Sequence, residues 1–355
     1  MGKYILVINP GSTSTKIAVY LDETIVFESK MSHSPEELAP YPNIVSQYDF
    51  RKQLILKALD ENQFDIKKLD AVCGRGGMLR PLESGTYLVN QTMVDDLGLA
   101  KRGEHASNLG AIIAREIADS LNIPAFIVDP VAVDEIEDIA RISGMPKIER
   151  ISVFHALNQK AIARQVAKDQ GKKYEDMNLV VVHLGGGISV AAHRKGRVID
   201  VNDALEGDGP MSPERSGTVP LGPLYKMCFS GDYTLAQIRK MNHGNGGLVA
   251  YLGTNDAREV VKRIKAGDEY AKLIYDAMIY QIAKEVGSCS TVLKGDIDYI
   301  VLTGGLAYEE YLITNLIDRI KFISEVLVYP GENELLSLAQ GALRVLNDEE
   351  SAKIY

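Results

Sequence analysis

A chain of 355 residues with 46% apolar and 25% charged side chains is long enough for two hydrophobic cores and has the balance of a soluble globular enzyme. A net charge of −9 with no basic run argues against a nucleic-acid surface, which needs a dense stripe of Lys and Arg. Cys73, Cys228 and Cys289 are too widely separated for metal-ligand spacing and read as small core residues in a reducing cytosol, and no stretch approaches the ~18 consecutive apolar residues of a membrane span.

The chain enters a strand by about Lys3, so neither a signal peptide nor an appended domain is expected before it. Four apolar residues at 5–8 lead to Asn9, then to Gly11 and small residues, then to an outgoing strand. Helical spacing of Leu109, Ile112, Ile113, Ile117 and Leu121 follows Ser107 and Asn108, either of which can cap the helix. A strand at 125–128 and a helix at 155–170 come next. At 179–182 a second apolar run reaches His183, Gly185 and small residues, again followed by an outgoing strand. Further helices are expected at 256–265, 269–293 and 335–346, and further strands at 297–303 and 326–329. The pattern is α/β. The Pro- and Gly-rich loops at 207–223 and 243–247 read as working surface rather than linker.

Asn9 and His183 stand 174 residues apart in equivalent positions, and each copy continues through a charged tight turn, Asp22-Glu23 or Lys195-Gly196, into a third strand. This predicts two similar halves, each presenting a glycine and hydroxyl turn to a shared cleft. Small residues let backbone N–H groups approach an anion, so such turns suit phosphate. A third turn follows the buried run at 297–303, where Gly304 and Gly305 open the way for a flat ligand or serve a plain strand-to-helix junction. Neither a P-loop nor a Rossmann fingerprint is present.

Two hairpin turns plus a late Gly-Gly turn resemble the superfamily of acetate and sugar kinases, heat-shock chaperone ATPases and actin. NPGSTSTK at 9–16 and HLGGG at 183–187 look like the two glycine signatures of the acetate kinase family, and RSG at 215–217, TNDAR at 254–258 and PGENEL at 330–335 fall in that family's order. The resemblance covers essentially the whole chain. Within the family, NPGSTSTK, GRGGMLRP at 74–81 and the short length are most similar to the butyrate kinase branch. Acetate kinases carry a His-Arg-Val-Val-His-Gly-Gly type segment where this chain has CGRGGML, and Asn where it has Gly186; both departures point away from acetate.

The resemblance implies duplicated actin-like (ribonuclease H-like) ATPase domains with a nucleotide cleft between them: residues 1–150 plus 335–355, and residues 151–334. It implies reversible phosphoryl transfer from ATP to butyrate, or to another short or branched carboxylate, in a cytoplasmic homo-oligomer. A nucleotide-regulated binding protein of the actin or chaperone branch is the alternative from another class, but would not need two arginines and a histidine beside the phosphate.

By the same resemblance, Arg75, Arg215 and His155 are the catalytic groups. Forked guanidinium donors suit two anions forced together. Asp129 and Glu334, with Glu332 as competitor for the second place, would associate with Mg²⁺, which takes one or two carboxylates plus water and phosphates. Asn9, Ser12, Ser14 and Lys16 match the first phosphate turn; Lys16 can instead support the turn through an ion pair, and Thr13 or Thr15 can simply favour the adjoining strand. His183, Gly185, Gly186 and Gly187 form the second turn, Asp256 and Arg258 approach the nucleotide, and Gly304, Gly305 and Leu306 lie on the adenine side. Gly77, Phe154 and Ala204 are expected to shape the acyl pocket, with Gly77 either removing a side chain from it or serving a turn with positive φ.

Overall fold

The computed structural model describes residues 2–355 and contains two compact units, one of residues up to Val133 together with Asn333–Tyr355, the other Asp134–Glu332. The divisions expected at 150/151 and 334/335 thus stand beside units that change at 133/134 and 332/333. The strands in chain order are β1 (Tyr4–Pro10), β2 (Ser14–Leu21), β3 (Thr24–Ser32), β4 (Ala71–Gly74), β5 (Thr86–Leu88), β6 (Ala125–Val128), β7 (Asn178–Leu184), β8 (Ile188–Arg194), β9 (Arg197–Val201), β10 (Tyr299–Gly304), β11 (Val326–Pro330) and β12 (Lys353–Ile354).

The first unit holds a seven-stranded sheet in the order β12-β5-β6-β4-β1-β2-β3, and the second a five-stranded sheet in the order β11-β10-β7-β8-β9. Five strands correspond one to one. In each sheet a three-strand antiparallel meander starts on the strand that also leads, through parallel pairing, into the next two, β1 into β4 and β6, β7 into β10 and β11. Even the irregularity is shared: pairing slips between Val19 and Tyr20 in one copy and between Ala192 and His193 in the other. The offset between copies falls from 174 residues before the turn, at Asn9 and His183, to 173 after it, at Lys16 and Ser189, because the second turn is one residue shorter.

β1 and β7 are covered on both faces, which is why they read as continuous apolar runs rather than alternating ones. In the second unit the alternation still sorts contacts. Val180, Val182, Ile300 and Leu302 face the long helix Glu269–Val292, while Leu179, Val181 and Val301 face helix Ala156–Asp169. In the first unit, helix Asn108–Leu121 and the C-terminal helix Glu334–Leu346 pack on the same three strands, β1, β4 and β6. The chain's end therefore completes the unit in which it began.

Most expected elements are present within a residue or two. Ser107 stands at the cap of Asn108–Leu121 but makes no side-chain cap bond. β10 begins at Tyr299 rather than 297, because Asp298 turns its carboxylate to the Asn178 amide (2.8 Å) instead of extending the strand. One expectation fails: Cys73 and Cys289 are buried, but Cys228 ends the helix Leu221–Cys228, which buries none of its residues, and is exposed. Among the described residues no helix is long and apolar enough to cross a membrane.

Candidate active site

In the first unit, the β1–β2 turn is held from beneath by a residue that sequence reasoning missed. Arg51, on helix Tyr48–Glu61, is completely buried, and its guanidinium donates to the carbonyls of Gly11 (2.8 Å), Ser14 (3.1 Å) and Ser12 (3.2 Å) and to Thr15 Oγ1 (3.0 Å). With those carbonyls drawn inward, the Ser12 and Thr13 side chains are exposed. Thr15 points inward and also bonds His33 (2.9 Å). A lone arginine on an amphipathic helix carries no sequence signal for such a role.

Beyond that turn, Glu334 at the start of the C-terminal helix receives Asn9 Nδ2 on one oxygen (2.7 Å) and the Arg75 guanidinium on the other. Burial works to raise the Glu334 carboxyl, but Arg75, the Asn9 amide and the charge of Lys16 outweigh it and hold the group below its ordinary range. Four sequence-predicted residues are thereby linked. Its competitor Glu332 belongs to the second unit, where it lies 3.5 Å from His183 Nε2.

Asp129 follows β6 in the left-handed region, φ +38°, an uncommon conformation for a residue other than glycine and one found at functional sites. Its Oδ1 accepts from Ser84 Oγ (2.6 Å) and the Gly85 amide (2.8 Å). Among the described residues no group of three or more His, Cys, Asp or Glu could enclose a metal. A pair of carboxylates at most is what Mg²⁺ asks of a protein, since it keeps water and substrate phosphates as its other ligands.

Gly77 has no positive φ, and the direction its side chain would take is filled: a Cβ there would lie 2.6 Å from the Cα of Asn108. Asn108 in turn accepts from the Met78 amide (2.9 Å). The glycine permits close packing of the Arg75 loop on a helix start. His105, another residue missed at the sequence level, sits near enough for burial and the charge of Arg75 to lower its pKa.

In the second unit, the turn at Gly185–Gly187 carries a guanidinium directly over it. A Cβ on Gly187 would overlap Arg215 Nη1, so a larger residue there would push the guanidinium out of this position. Arg215 donates to the Ala204 carbonyl, and its buried Nε has no hydrogen-bond partner among the described residues. Burial pulls the guanidinium below its ordinary range against the opposing charges of Glu214 and Asp203. Ser212 Oγ holds the Gly186 carbonyl (2.7 Å), doing for this turn a little of what Arg51 does for the other.

His155 stands at the N-cap position of helix Ala156–Asp169 without a side-chain cap bond, and its ring stacks on that of His183 with centroids 3.8 Å apart and planes 11° from parallel. Ser189 on β8 bonds His155 Nδ1 (2.9 Å), and Asn158 bonds His183 Nδ1 (2.7 Å). Neither partner was anticipated. Phe154 and Ala204 are both buried and adjacent, the Ala204 amide donating to the Val153 carbonyl (2.9 Å).

A cavity of about 1050 Å³ gathers Gly185, Gly186, Asp256, Arg258, Gly305 and Leu306, all expected at the nucleotide, with Lys262 and Lys265. Arg258, Lys262 and Lys265 recur at helical spacing along Ala257–Lys265, a basic face that the sequence could have disclosed. Asp256 caps that helix and is held down to about 2 by Arg258. Gly304 adopts φ +91° where a Cβ would press on the backbone of Leu184, and it exchanges backbone bonds with Gly331 (2.9 and 3.2 Å).

The sequence profile of the Acetokinase family matches residues 147–350. The chain is 56% identical over 351 residues to butyrate kinase 1 of Clostridium acetobutylicum, covering 99% of each, and 55% identical over 355 residues to a probable butyrate kinase of Clostridium botulinum, covering 100% of each. The fold is similar to the crystal structure of Porphyromonas gingivalis acetate kinase (TM-score 0.77, 19% identity, 97% and 100% covered) and of a Francisella tularensis propionate kinase (TM-score 0.74, 21% identity, 96% and 98% covered).

Proposed function

This chain belongs to the acetokinase family, and we propose that it is an ATP-dependent butyrate kinase, reversibly converting ATP and butyrate to ADP and butyryl phosphate. A carboxylate oxygen of butyrate attacks the γ-phosphorus, and the bond to the bridging oxygen breaks with its electron pair leaving on ADP. Both reactants are anions, so the protein's task is positioning and charge stabilisation. The observation that carries this reading is Arg215, a half-buried guanidinium over a glycine turn with its buried Nε donor unspent. Arg215 binds the equatorial phosphoryl oxygens, His155 donates to them, and Arg75, oriented by Glu334, offsets the carboxylate charge. The turn at 11–14 and the cavity lined by Arg258 and Leu306 take the nucleotide. Asp129 and Glu334 would hold Mg²⁺ through the ion's water and phosphate shell, and the ion supplies neutralisation of phosphate charge. The same reading makes the protein a cytoplasmic homo-oligomer, dimer or larger, without nucleic-acid or membrane partners.

The test is incubation with MgATP and two- to five-carbon acids, trapping acyl phosphate with hydroxylamine. Butyrate should exceed acetate in kcat/KM by roughly tenfold to twentyfold, the worth of two buried methylenes at ~0.8 kcal/mol each. Preference for acetate, or no acyl phosphate, overturns the assignment.

A further inference from the structure

We propose that a one-way chain of hydrogen bonds, from Tyr174 through His193, Gln159 and Ser189, holds His155 as the neutral imidazole with its proton on Nε2, so that Ser189 and Gln159 are positioning residues for a catalytic donor. The proposal deepens the phosphotransfer reading and rests on it for the role of His155.

The direction of the chain is set at one point. Gln159 Nε2 contacts the backbone carbonyl of Ser189 (3.1 Å), an atom that only accepts, so the amide nitrogen faces Ser189 and Oε1 faces away. Two consequences run outward from there. On one side, Gln159 Oε1 must accept from His193 Nε2 (2.9 Å), and His193, neutral with that nitrogen protonated, accepts at Nδ1 from the Tyr174 hydroxyl (2.7 Å). Complete burial, with Lys160 and Arg164 nearby, holds the His193 pKa well below its ordinary value, in keeping with a neutral ring. On the other side, Gln159 Nε2 also donates to Ser189 Oγ (2.8 Å), which leaves the serine proton for His155 Nδ1 (2.9 Å). Ser189 is fully buried, and its hydroxyl has no further partner among the described residues. Were His155 Nδ1 protonated, the Ser189 proton would have no acceptor, and an unsatisfied buried donor costs about 1–3 kcal/mol. The remaining ring proton therefore sits on Nε2.

The charged and titratable groups around the chain do not reverse it. Lys160 is paired with buried Glu135 and lies 5.5 Å from the Tyr174 ring, with Arg164 at 5.9 Å; His183 is stacked on His155, and Glu332 is beyond it. Positive charge at Lys160 and Arg164 opposes a protonated His193, and two stacked imidazoles oppose protonation of both rings. His155 thus donates without surrendering a proton, as a phosphoryl group that gains no proton requires.

Nitrogen NMR of the full chain with ¹⁵N-labelled histidine rings reads the tautomer directly, without turnover. The His155 ring should appear neutral, with its proton on Nε2, from neutral pH upward; a proton on Nδ1, or a doubly protonated ring at neutral pH, overturns the proposal. Ser189→Ala should shift the ring toward the other tautomer and lower kcat by roughly tenfold, one hydrogen bond's worth, with KM for ATP and butyrate nearly unchanged, and Ser189→Thr should restore both. An alanine variant with wild-type tautomer and wild-type kcat also overturns it. Absence of butyrate-dependent acyl phosphate in the wild type counts against the proposed function alone, since the ring spectrum is read without substrate.

Discussion

Arg215 occupies the space that any side chain at Gly187 would need, so the glycine of the second turn and the arginine two loops later are a single device. Gly187→Ala is therefore expected to behave as an arginine mutant. Displacing the guanidinium should lower kcat by about a hundredfold to a thousandfold, as Arg215→Ala should, since a charge-stabilising donor is worth ~2.7–4 kcal/mol. Side-by-side kinetics check it. An alanine variant with near-normal turnover would separate the two residues.

Glu334 links the C-terminal helix to Arg75 and Asn9. Its carboxyl is held below the ordinary value of 4.5, so its contribution to stability is present above that value and is lost as pH falls through the depressed one. Glu334→Gln keeps the shape and removes the charge. Thermal unfolding measured from neutral to acidic pH should show a smaller acid-dependent fall in Tm for the variant, and kcat should drop because Arg75 loses its orienting partner.

Arg51 reaches no substrate in this reading, yet its loss should be felt at the nucleotide. Arg51→Met leaves the part-buried carbonyls at 11 and 12 without that donor, at about 1–3 kcal/mol for each unsatisfied group, while the Ser14 carbonyl keeps the Gly11 amide (2.7 Å). Denaturant unfolding should report a loss of at least ~2 kcal/mol, and any folded fraction should show a raised KM for ATP. A variant of wild-type stability would show that the turn holds itself.

Asp129→Asn tests the metal role cleanly, because asparagine tolerates positive φ and its Oδ1 can accept from Ser84 and Gly85 as the carboxylate does. Stability should be preserved while the Mg²⁺ concentration for half-maximal turnover rises about tenfold or more. Indifference to Mg²⁺ in both proteins would remove Asp129 and Glu334 from metal binding.

Gly77→Val is expected to damage folding rather than tune substrate choice. The added Cβ meets the backbone of Asn108 at 2.6 Å, and overpacking of this kind costs ~1–3 kcal/mol or more. Activity should fall alike for acids of every length, alongside Tm. Selective loss of the longer acids would restore Gly77 to the acyl pocket.

Much of this protein was legible in local patterns. Apolar runs bounded by glycine gave the strands, helical spacing gave the helices, and the recurrence of one turn after 174 residues predicted a duplication that the two sheets repeat down to a shared bulge. Gly304 was recognisable because backbone proximity and positive φ leave a mark on the residue itself, and Gly187 because the space a side chain would need there is taken by the Arg215 guanidinium. What sequence could not convey was which side chains converge from distant segments. Arg51 reaches the carbonyls at 11–14, Ser189 meets His155, and Asn108 fills the space beside Gly77. Each of these depends on how a helix face is rotated against a sheet. Residue type and spacing determine which face of an element is apolar, whereas the partner of a buried polar group is decided only when both faces are packed and every donor must find an acceptor.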